Sequence, residues 1–154
     1  MSHMKQRVLA ALLPASAFVL CFGLAAQAQT TQRIPVDQPT QVDGIRTACT
    51  GIGDREENES RWSSYPLKLE TVGGYGQWLG DQDVTVRGHG QDMSVHCSGP
   101  WLMMGLEPGR YEATVTVPDA APKQIHFTVP KAGQRDVIVR FHSRMNGREE
   151  ANQS

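Results

Sequence analysis

Apolar and polar residues alternate with a period of two in several short stretches of the chain. The runs cover residues 67–72, 83–87, 92–97, 110–117, 124–129 and 136–141. Such alternation places every second side chain on one face of a β-strand. Turn-forming residues separate the runs at spacings of about ten residues, which is typical of a sandwich rather than a parallel α/β sheet. We therefore predict an all-β fold, an antiparallel β-sandwich of seven to eight strands.

A different pattern occupies the centre of the chain. Residues 101–106 form a continuous apolar run, which is too short for a helix and suits a buried strand. Pro108 and Gly109 follow as a turn, which we interpret as type II because Pro fixes φ at its first central position and Gly supplies a positive φ at its second. Tyr111 then begins the inward face of the next strand. This hairpin is predicted to be a structural element of the scaffold.

The first 28 residues have the pattern of a secretory signal peptide. Lys5 and Arg7 precede a long apolar run that ends in the small-x-small sequence Ala26-Gln27-Ala28. We predict cleavage before Gln29 and export of the remaining chain. A retained membrane anchor is the less favoured alternative, because the apolar run is borderline in length for a spanning helix.

The rest of the chain divides into three predicted parts. Residues 29–43 are polar and are predicted to be a flexible leader or an extended edge segment. Residues 44–142 form the β-domain, and residues 143–154 form a polar, disordered tail. The whole chain has a formal net charge of −1, with 15 basic and 16 acidic residues. This balance gives no basic footprint for nucleic acid.

A short helix is predicted near the start of the domain. Asp54 is its N-cap, acidic residues fill its first turns, and it extends over residues 55–63. Trp62 is its one large apolar residue. Trp62 and Trp78 either seal one end of the sandwich, the interpretation we favour, or form an exposed aromatic patch with Tyr65 and Tyr75 that binds a peptide or glycan.

Two cysteines remain after the signal peptide, which contains Cys21. Cys49 and Cys97 are an even pair in an exported chain, and oxidising compartments favour disulfides. A redox pair or metal ligands are the alternatives, but there is no C-x-x-C motif. We predict a structural disulfide worth about 4 kcal/mol in the chain-entropy model.

Candidate metal ligands are scattered. His96 and His126 have outward parity on their strands, as does His142, so they would cluster only if those strands are neighbours. Thioether and imidazole groups suit Cu(I), and the candidates are Met93, Met103, Met104 and His96. No metal-binding spacing supports either site. We therefore predict no metal and no cofactor.

A catalytic site is not predicted either. Ser98, His96 and Asp92 offer the residue types of a nucleophilic triad. However, no nucleophile elbow or oxyanion-forming turn surrounds Ser98. Ordinary polar residues of a β-strand explain the three side chains, so we predict that the protein is not an enzyme.

The central hairpin also carries a resemblance. Gly105-Leu106-Glu107-Pro108-Gly109-Arg110-Tyr111 resembles the Leu-Pro-Pro-Gly-x-Tyr turn of carboxypeptidase regulatory-like domains, with Glu107 at a position that is more often Pro. The wider pattern is similar to small exported proteins of Gram-negative bacteria and comprises Gly51-Ile52-Gly53-Asp54, Leu67-Lys68-Leu69, Asp83-Val84-Thr85-Val86 and Gly99-Pro100-Trp101-Leu102. The resemblance implies a prealbumin-like (transthyretin-like) sandwich, a periplasmic location, and neither peptidase zinc ligands nor a catalytic acid.

The functional expectation is a non-catalytic module that binds a periplasmic or envelope protein through a sheet edge or the end loops. The alternative is a periplasmic protein that handles a small ligand or a metal such as copper or zinc. The candidate binding residues are Trp62, Trp78, His96 and His126. Neither nucleic-acid binding nor stable membrane insertion after signal cleavage is expected.

Overall fold

Ten β-strands in two five-stranded sheets make up the fold. The computed structural model of the protein describes residues 30–53 and 60–142. The strands are β1 (Gln32–Arg33), β2 (Thr40–Val42), β3 (Ile45–Thr50), β4 (Leu67–Val72), β5 (Gln82–Gly88), β6 (Gln91–Cys97), β7 (Trp101–Met104), β8 (Gly109–Thr116), β9 (Lys123–Val129) and β10 (Arg135–Arg140). The first sheet has the order β1-β6-β5-β8-β9, and the second has the order β10-β4-β7-β3-β2.

Both sheets are mixed, which corrects the prediction of an all-antiparallel fold with seven to eight strands. β1 pairs in parallel with β6, and β10 pairs in parallel with β4. The other strand pairs are antiparallel. Alternation along a strand reports which face is buried and carries no information on the direction of its neighbour. A strand as short as β1 or β2 shows no alternation at all, so the count was too low.

The two sheets enclose one hydrophobic core. The side chains that alternation predicts to point inward are buried: Leu67, Leu69, Val84, Val86, Met93, Val95, Cys97, Tyr111, Ala113, Val115, Val117, Phe127, Val129, Val139 and Phe141. Ile125 of β9 and Val137 of β10 also point inward but are only partly buried. Both lie on strands at the end of a sheet, beyond which the described part of the chain supplies no further strand.

The second sheet is covered on its outer face as well. Trp62 and Tyr65 pack there against Ala48, Trp101 and Met103 in a second buried cluster. All four residues of β7 are consequently buried. The continuous apolar run at residues 101–106 predicted a buried strand, and β7 lies at the centre of this sheet, flanked by β4 and β3. Trp62 anchors the helical residues 60–62 to the sheet.

The segment predicted as a flexible leader belongs to the folded domain. It supplies β1 and β2, and its Ile34 and Val42 are buried in the main core. These apolar residues are isolated in a polar stretch, so periodicity could not identify them. The extended edge segment was the better of the two interpretations.

Three predicted features lie outside the described residues: the signal peptide at residues 1–28, the helix cap at Asp54, and the tail at residues 143–154. Within residues 30–53 and 60–142, no helix has the length and apolar character needed to cross a bilayer.

The connection between β7 and β8 corrects the prediction of a hairpin: β7 lies in the second sheet and β8 in the first, so the two strands do not pair and the connection crosses between the sheets. Its turn also departs from the type II geometry. Gly109 has a φ of 156°, well away from the value of about 80° that the second central residue of a type II turn adopts, and it is the first residue of β8. The Tyr111 hydroxyl donates a hydrogen bond to the Glu107 carbonyl oxygen over 2.9 Å. The His89 ring stacks on Tyr111 with ring centroids 5.7 Å apart, and its Nε2 is 1.9 Å from where a Cβ on Gly109 would lie. A side chain at residue 109 would have to displace the exposed His89 ring, and the positive φ independently favours glycine.

Replacing Tyr111 tests this turn. Burial and the nearby Glu107 carboxylate raise the pKa of the Tyr111 phenol above its usual value of 10.0. We expect Tyr111→Phe to lower the free energy of unfolding at pH 8 by about 1 kcal/mol, because the partly buried hydrogen bond from the Tyr111 hydroxyl to the Glu107 carbonyl oxygen is lost. A raised folded-state pKa means that the tyrosine stabilises the fold fully below the unfolded pKa and loses this contribution as pH rises through the folded pKa. The deficit of the variant should therefore shrink above pH 10.

Urea unfolding followed by circular dichroism between pH 8 and pH 11 measures this deficit. Tyr75→Phe is the matched control, because the Tyr75 side chain is 87% exposed. A deficit of constant size across that pH range, or an equal effect of the two variants, contradicts the role given to the Tyr111 hydroxyl.

Candidate functional site

The cysteine pair belongs to the scaffold. Cys49 of β3 and Cys97 of β6 are joined in a disulfide with their Cα atoms 5.3 Å apart, and both residues are fully buried. Because β3 lies in the second sheet and β6 in the first, the bond connects the two sheets across the core. Cys49 Sγ also accepts a hydrogen bond from the Gly99 N–H over 3.2 Å. The predicted disulfide is confirmed.

The aromatic side chains do not assemble into one exposed patch. Trp62 and Tyr65 are each only 2% exposed and lie on the second sheet. Trp78 is 41% exposed and meets Trp101 edge to face, with ring centroids 5.4 Å apart. Tyr75 extends into solvent. Trp62 therefore covers the sheet, whereas Trp78 covers Trp101 with part of its surface and leaves the remainder accessible.

Cations pack on the faces of this aromatic cluster. Lys68 Nζ lies 4.0 Å from the centre of the Trp101 ring and forms a 2.7 Å salt bridge with Glu70. The Arg46 guanidinium lies 4.2 Å above the Tyr65 ring. Burial raises the pKa of Tyr65, although Arg46 and Arg61 act in the opposite direction. Lys68 lies on the outward face of its strand, where the aromatic cover buries it.

A small pocket lies beside this cover. It has a volume of about 200 Å³ and is lined by Trp62, Lys68, Met103, Gln134 and Asp136. Gln134 Nε2 donates hydrogen bonds to the carbonyl oxygens of Trp62 and Tyr65 and so holds the cover on the sheet. The Trp62 indole N–H is buried and has no hydrogen-bond partner among the described residues. The pocket is a gap between Trp62 and the outer face of the second sheet.

The two candidate histidines lie apart. His96 is on β6, where its Nδ1 is 2.8 Å from Asp83 and its Nε2 is 3.8 Å from Asp81. His126 is on β9, where its side chain is 73% exposed and lies 3.9 Å from Glu112. Two strands, β5 and β8, separate them.

The methionines that could have joined a copper site are buried. Met93 and Met104 lie in the main core, and Met103 lies in the aromatic cluster. Within the part of the chain that the structure describes, no group of three or more His, Cys, Asp or Glu residues is arranged to hold a metal ion.

The first sheet ends in a free edge. The sequence predicted binding through a sheet edge or the end loops but did not identify which edge. β9 ends this sheet with seven residues and pairs only with β8. Across residues 30–53 and 60–142, no other strand pairs with its second side. The N–H and C=O groups along that side are free to pair with an added strand. The other end of the sheet is the two-residue β1, which offers much less backbone.

A shallow groove runs beside β9 on the outer face of the first sheet. Its volume is about 410 Å³, and it is lined by Arg87, Arg110, Tyr111, Glu112, His126, Phe127 and Thr128. Arg87 pairs with Asp92 over 3.3 Å, on the side away from β9. Arg110 is exposed and forms no ion pair among the described residues. The groove residues on β8 and β9 have outward parity in the sequence. Every solvent-facing strand residue has the same parity, so parity alone could not identify the groove.

No protein-family model matches the chain, and no curated protein is significantly similar to it. Function is therefore inferred from the geometry and charge of the chain itself, together with the local resemblance of its central turn.

Proposed function

We propose that this chain is an exported, non-catalytic domain that binds an extended segment of a partner protein along β9. The observation that carries the proposal is the unpaired side of a seven-residue strand at the end of the first sheet. An extended segment can add to such an edge as a further strand, because the backbone hydrogen bonds give affinity and pockets for alternate side chains give specificity. The groove beside β9 supplies a surface for every second side chain.

The other edges are less suitable. β1 and β2 have two and three residues. β10 has six, but three of them are charged: Arg135, Asp136 and Arg140. Charged residues along an edge discourage the addition of a strand. β9 contains no Arg, Asp or Glu, and its one lysine, Lys123, is at the start of the strand.

The cellular setting forms part of the proposal. The N-terminal sequence pattern supports export, and a buried disulfide that joins two sheets suits an oxidising compartment. The Tyr111 turn and the shared core of two sheets support a carboxypeptidase regulatory-like domain with a prealbumin-like sandwich. We therefore place the partner segment on a periplasmic or envelope protein.

A selection experiment tests the mode of binding. Random nine-residue peptides displayed on phage would be selected on immobilised protein, and the selected peptides would then be added to the protein in solution. Strand addition should slow amide hydrogen exchange at alternate residues of β9, because only every second N–H faces the free side. Slowed exchange confined to the end loops or to the second sheet would overturn the proposal.

The variant Ile125→Lys should weaken binding of the selected peptides at least tenfold. Ile125 points inward at the open edge and is only partly buried, so a lysine there puts a charge where the side chain of an added strand must pack. The matched control is Gln124→Lys, the same charge on the neighbouring exposed position, for which we expect less than a threefold loss. Equal losses in the two variants would show that the peptides bind by charge on the surface and not by pairing with the edge.

A further inference from the structure

The β9 side of the domain is basic, although the chain as a whole is slightly acidic. Residues 110–142, which contain β8, β9 and β10, carry five Lys or Arg residues and three Asp or Glu residues. The rest of the described chain carries five and seven, respectively. Charge is therefore divided between the two sides of the sandwich. A partner that approaches β9 meets a positive surface, which favours an acidic segment.

The groove beside β9 is lined by two cations, Arg87 and Arg110, and by the Glu112 carboxylate, which lies 3.9 Å from His126. Arg110 is directly opposite Thr128, and Glu112 is opposite His126. A strand added to β9 would place its outward side chains about 5 Å from Thr128 and His126. A carboxylate beside Thr128 can accept a hydrogen bond from the threonine hydroxyl, and the long Arg110 side chain on the neighbouring strand is within range to pair with it. Since Arg110 has no ion pair in the described chain, this pairing breaks no existing one.

The inner side of the same edge is apolar. Ile125 of β9 and Val137 of β10 are both partly buried there, each on the strand that ends its sheet. Side chains of an added strand that point toward the core would cover them. Because successive side chains of a strand point to opposite faces, one residue in two of the added segment would be apolar.

On the basis of the function proposed above, we infer that the segment accepted by β9 alternates acidic and apolar residues. The acidic side chains face the groove of Arg110, Thr128 and His126, and the apolar ones face Ile125 and Val137. A segment with basic residues in place of the acidic ones is rejected, because its charges would lie against Arg110.

Three synthetic eight-residue peptides test this inference: alternating Glu and Val, alternating Gln and Val, and alternating Lys and Val. Like charges on neighbouring strands disfavour self-association of the first and third. We expect the Glu peptide to bind the full exported chain at least tenfold more tightly than the Lys peptide, measured by calorimetry at low salt. The Glu peptide should also slow amide exchange at alternate residues of β9.

Charge reversal at Arg110 provides the decisive comparison. Arg110→Glu should lower the affinity for the Glu peptide at least tenfold and raise that for the Lys peptide. Arg33→Glu is the matched control on the opposite edge of the same sheet and should change neither affinity more than threefold. Both arginines are exposed, so neither variant is expected to unfold.

The possible outcomes separate the two proposals. If all three peptides slow exchange along β9 with equal affinity, strand addition holds and the acidic preference is wrong. If none of them changes exchange in β9 although phage-selected peptides do, the alternating acidic pattern is wrong and the proposed function stands. If sedimentation shows a dimer of this chain that Ile125→Lys dissociates and no peptide disrupts, a second copy occupies β9 and both proposals are overturned.

Discussion

The double variant Cys49→Ala/Cys97→Ala should lose about 4 kcal/mol of unfolding free energy, the largest effect we expect from removing a single interaction. The two cysteines are 48 residues apart in sequence. A bond over that separation greatly restricts the unfolded chain, and its removal returns the lost conformational freedom. Domains of this size are stable by only about 5–15 kcal/mol, so the loss would remove a large share of the total.

The position of the bond adds a second contribution. Cys49 and Cys97 connect β3 of one sheet with β6 of the other, so the bond limits separation of the sheets. The Gly99 N–H also loses its contact with Cys49 Sγ when alanine replaces the cysteine. An unpaired buried N–H costs about 1–3 kcal/mol. The double variant should therefore lose at least as much free energy of unfolding as removal of the bond alone.

Urea unfolding of the purified protein, followed by tryptophan fluorescence, measures the loss. Wild-type protein reduced with a thiol serves as the control: it loses the bond but keeps Cys49 Sγ as the acceptor for the Gly99 N–H, so it should be at least as stable as the double variant. Oxidised wild type and double variant that differ by less than about 1 kcal/mol would contradict the prediction. Free thiols at both cysteines, found by mass spectrometry of protein purified without a reductant, would contradict the bond itself.

The strand faces were predictable from sequence because alternation directly encodes them. Leu67 and Leu69 on β4, and Val84 and Val86 on β5, are buried as their spacing indicated. The parallel pairing of β10 with β4 was not predictable, since the residues that pair are more than 60 positions apart and no periodicity records them. The short β1 escaped detection for a simpler reason: two residues cannot display a period of two.

The candidate site was less predictable from the sequence than the strand faces, because it depends on the order of the strands in the sheet. Arg110 and Thr128 have the outward parity of many other polar residues, and the role that we propose for them depends on β9 ending the first sheet. His96 and His126 share that parity, but β5 and β8 lie between their strands. The sequence indicated which side chains face solvent. Which of them share a surface depends on pairings between distant strands.

The sequence left open whether Trp62 seals the sandwich or belongs to an exposed aromatic patch. Its replacement should have the second large effect on stability. Trp62→Ala is expected to lower the free energy of unfolding by about 3–5 kcal/mol, as truncation of a buried tryptophan does. The ring is 2% exposed and packs on Tyr65, with ring centroids 5.9 Å apart, within the cluster of Ala48, Trp101 and Met103. Its removal would open the outer face of the second sheet to water.

Trp78→Ala is the matched comparison, since it removes the same side chain from a site that is 41% exposed. We expect it to cost about half as much or less, because the apolar area that it returns to water is smaller. Unfolding should be followed by circular dichroism, because both variants alter the tryptophan signal. If Trp62→Ala retained wild-type stability and lost peptide binding, Trp62 would be a binding residue and the interpretation of a sealed sheet would be wrong. If stability falls while the remaining folded protein still binds peptide at β9, the cover and the binding edge act independently, as their positions on different sheets require.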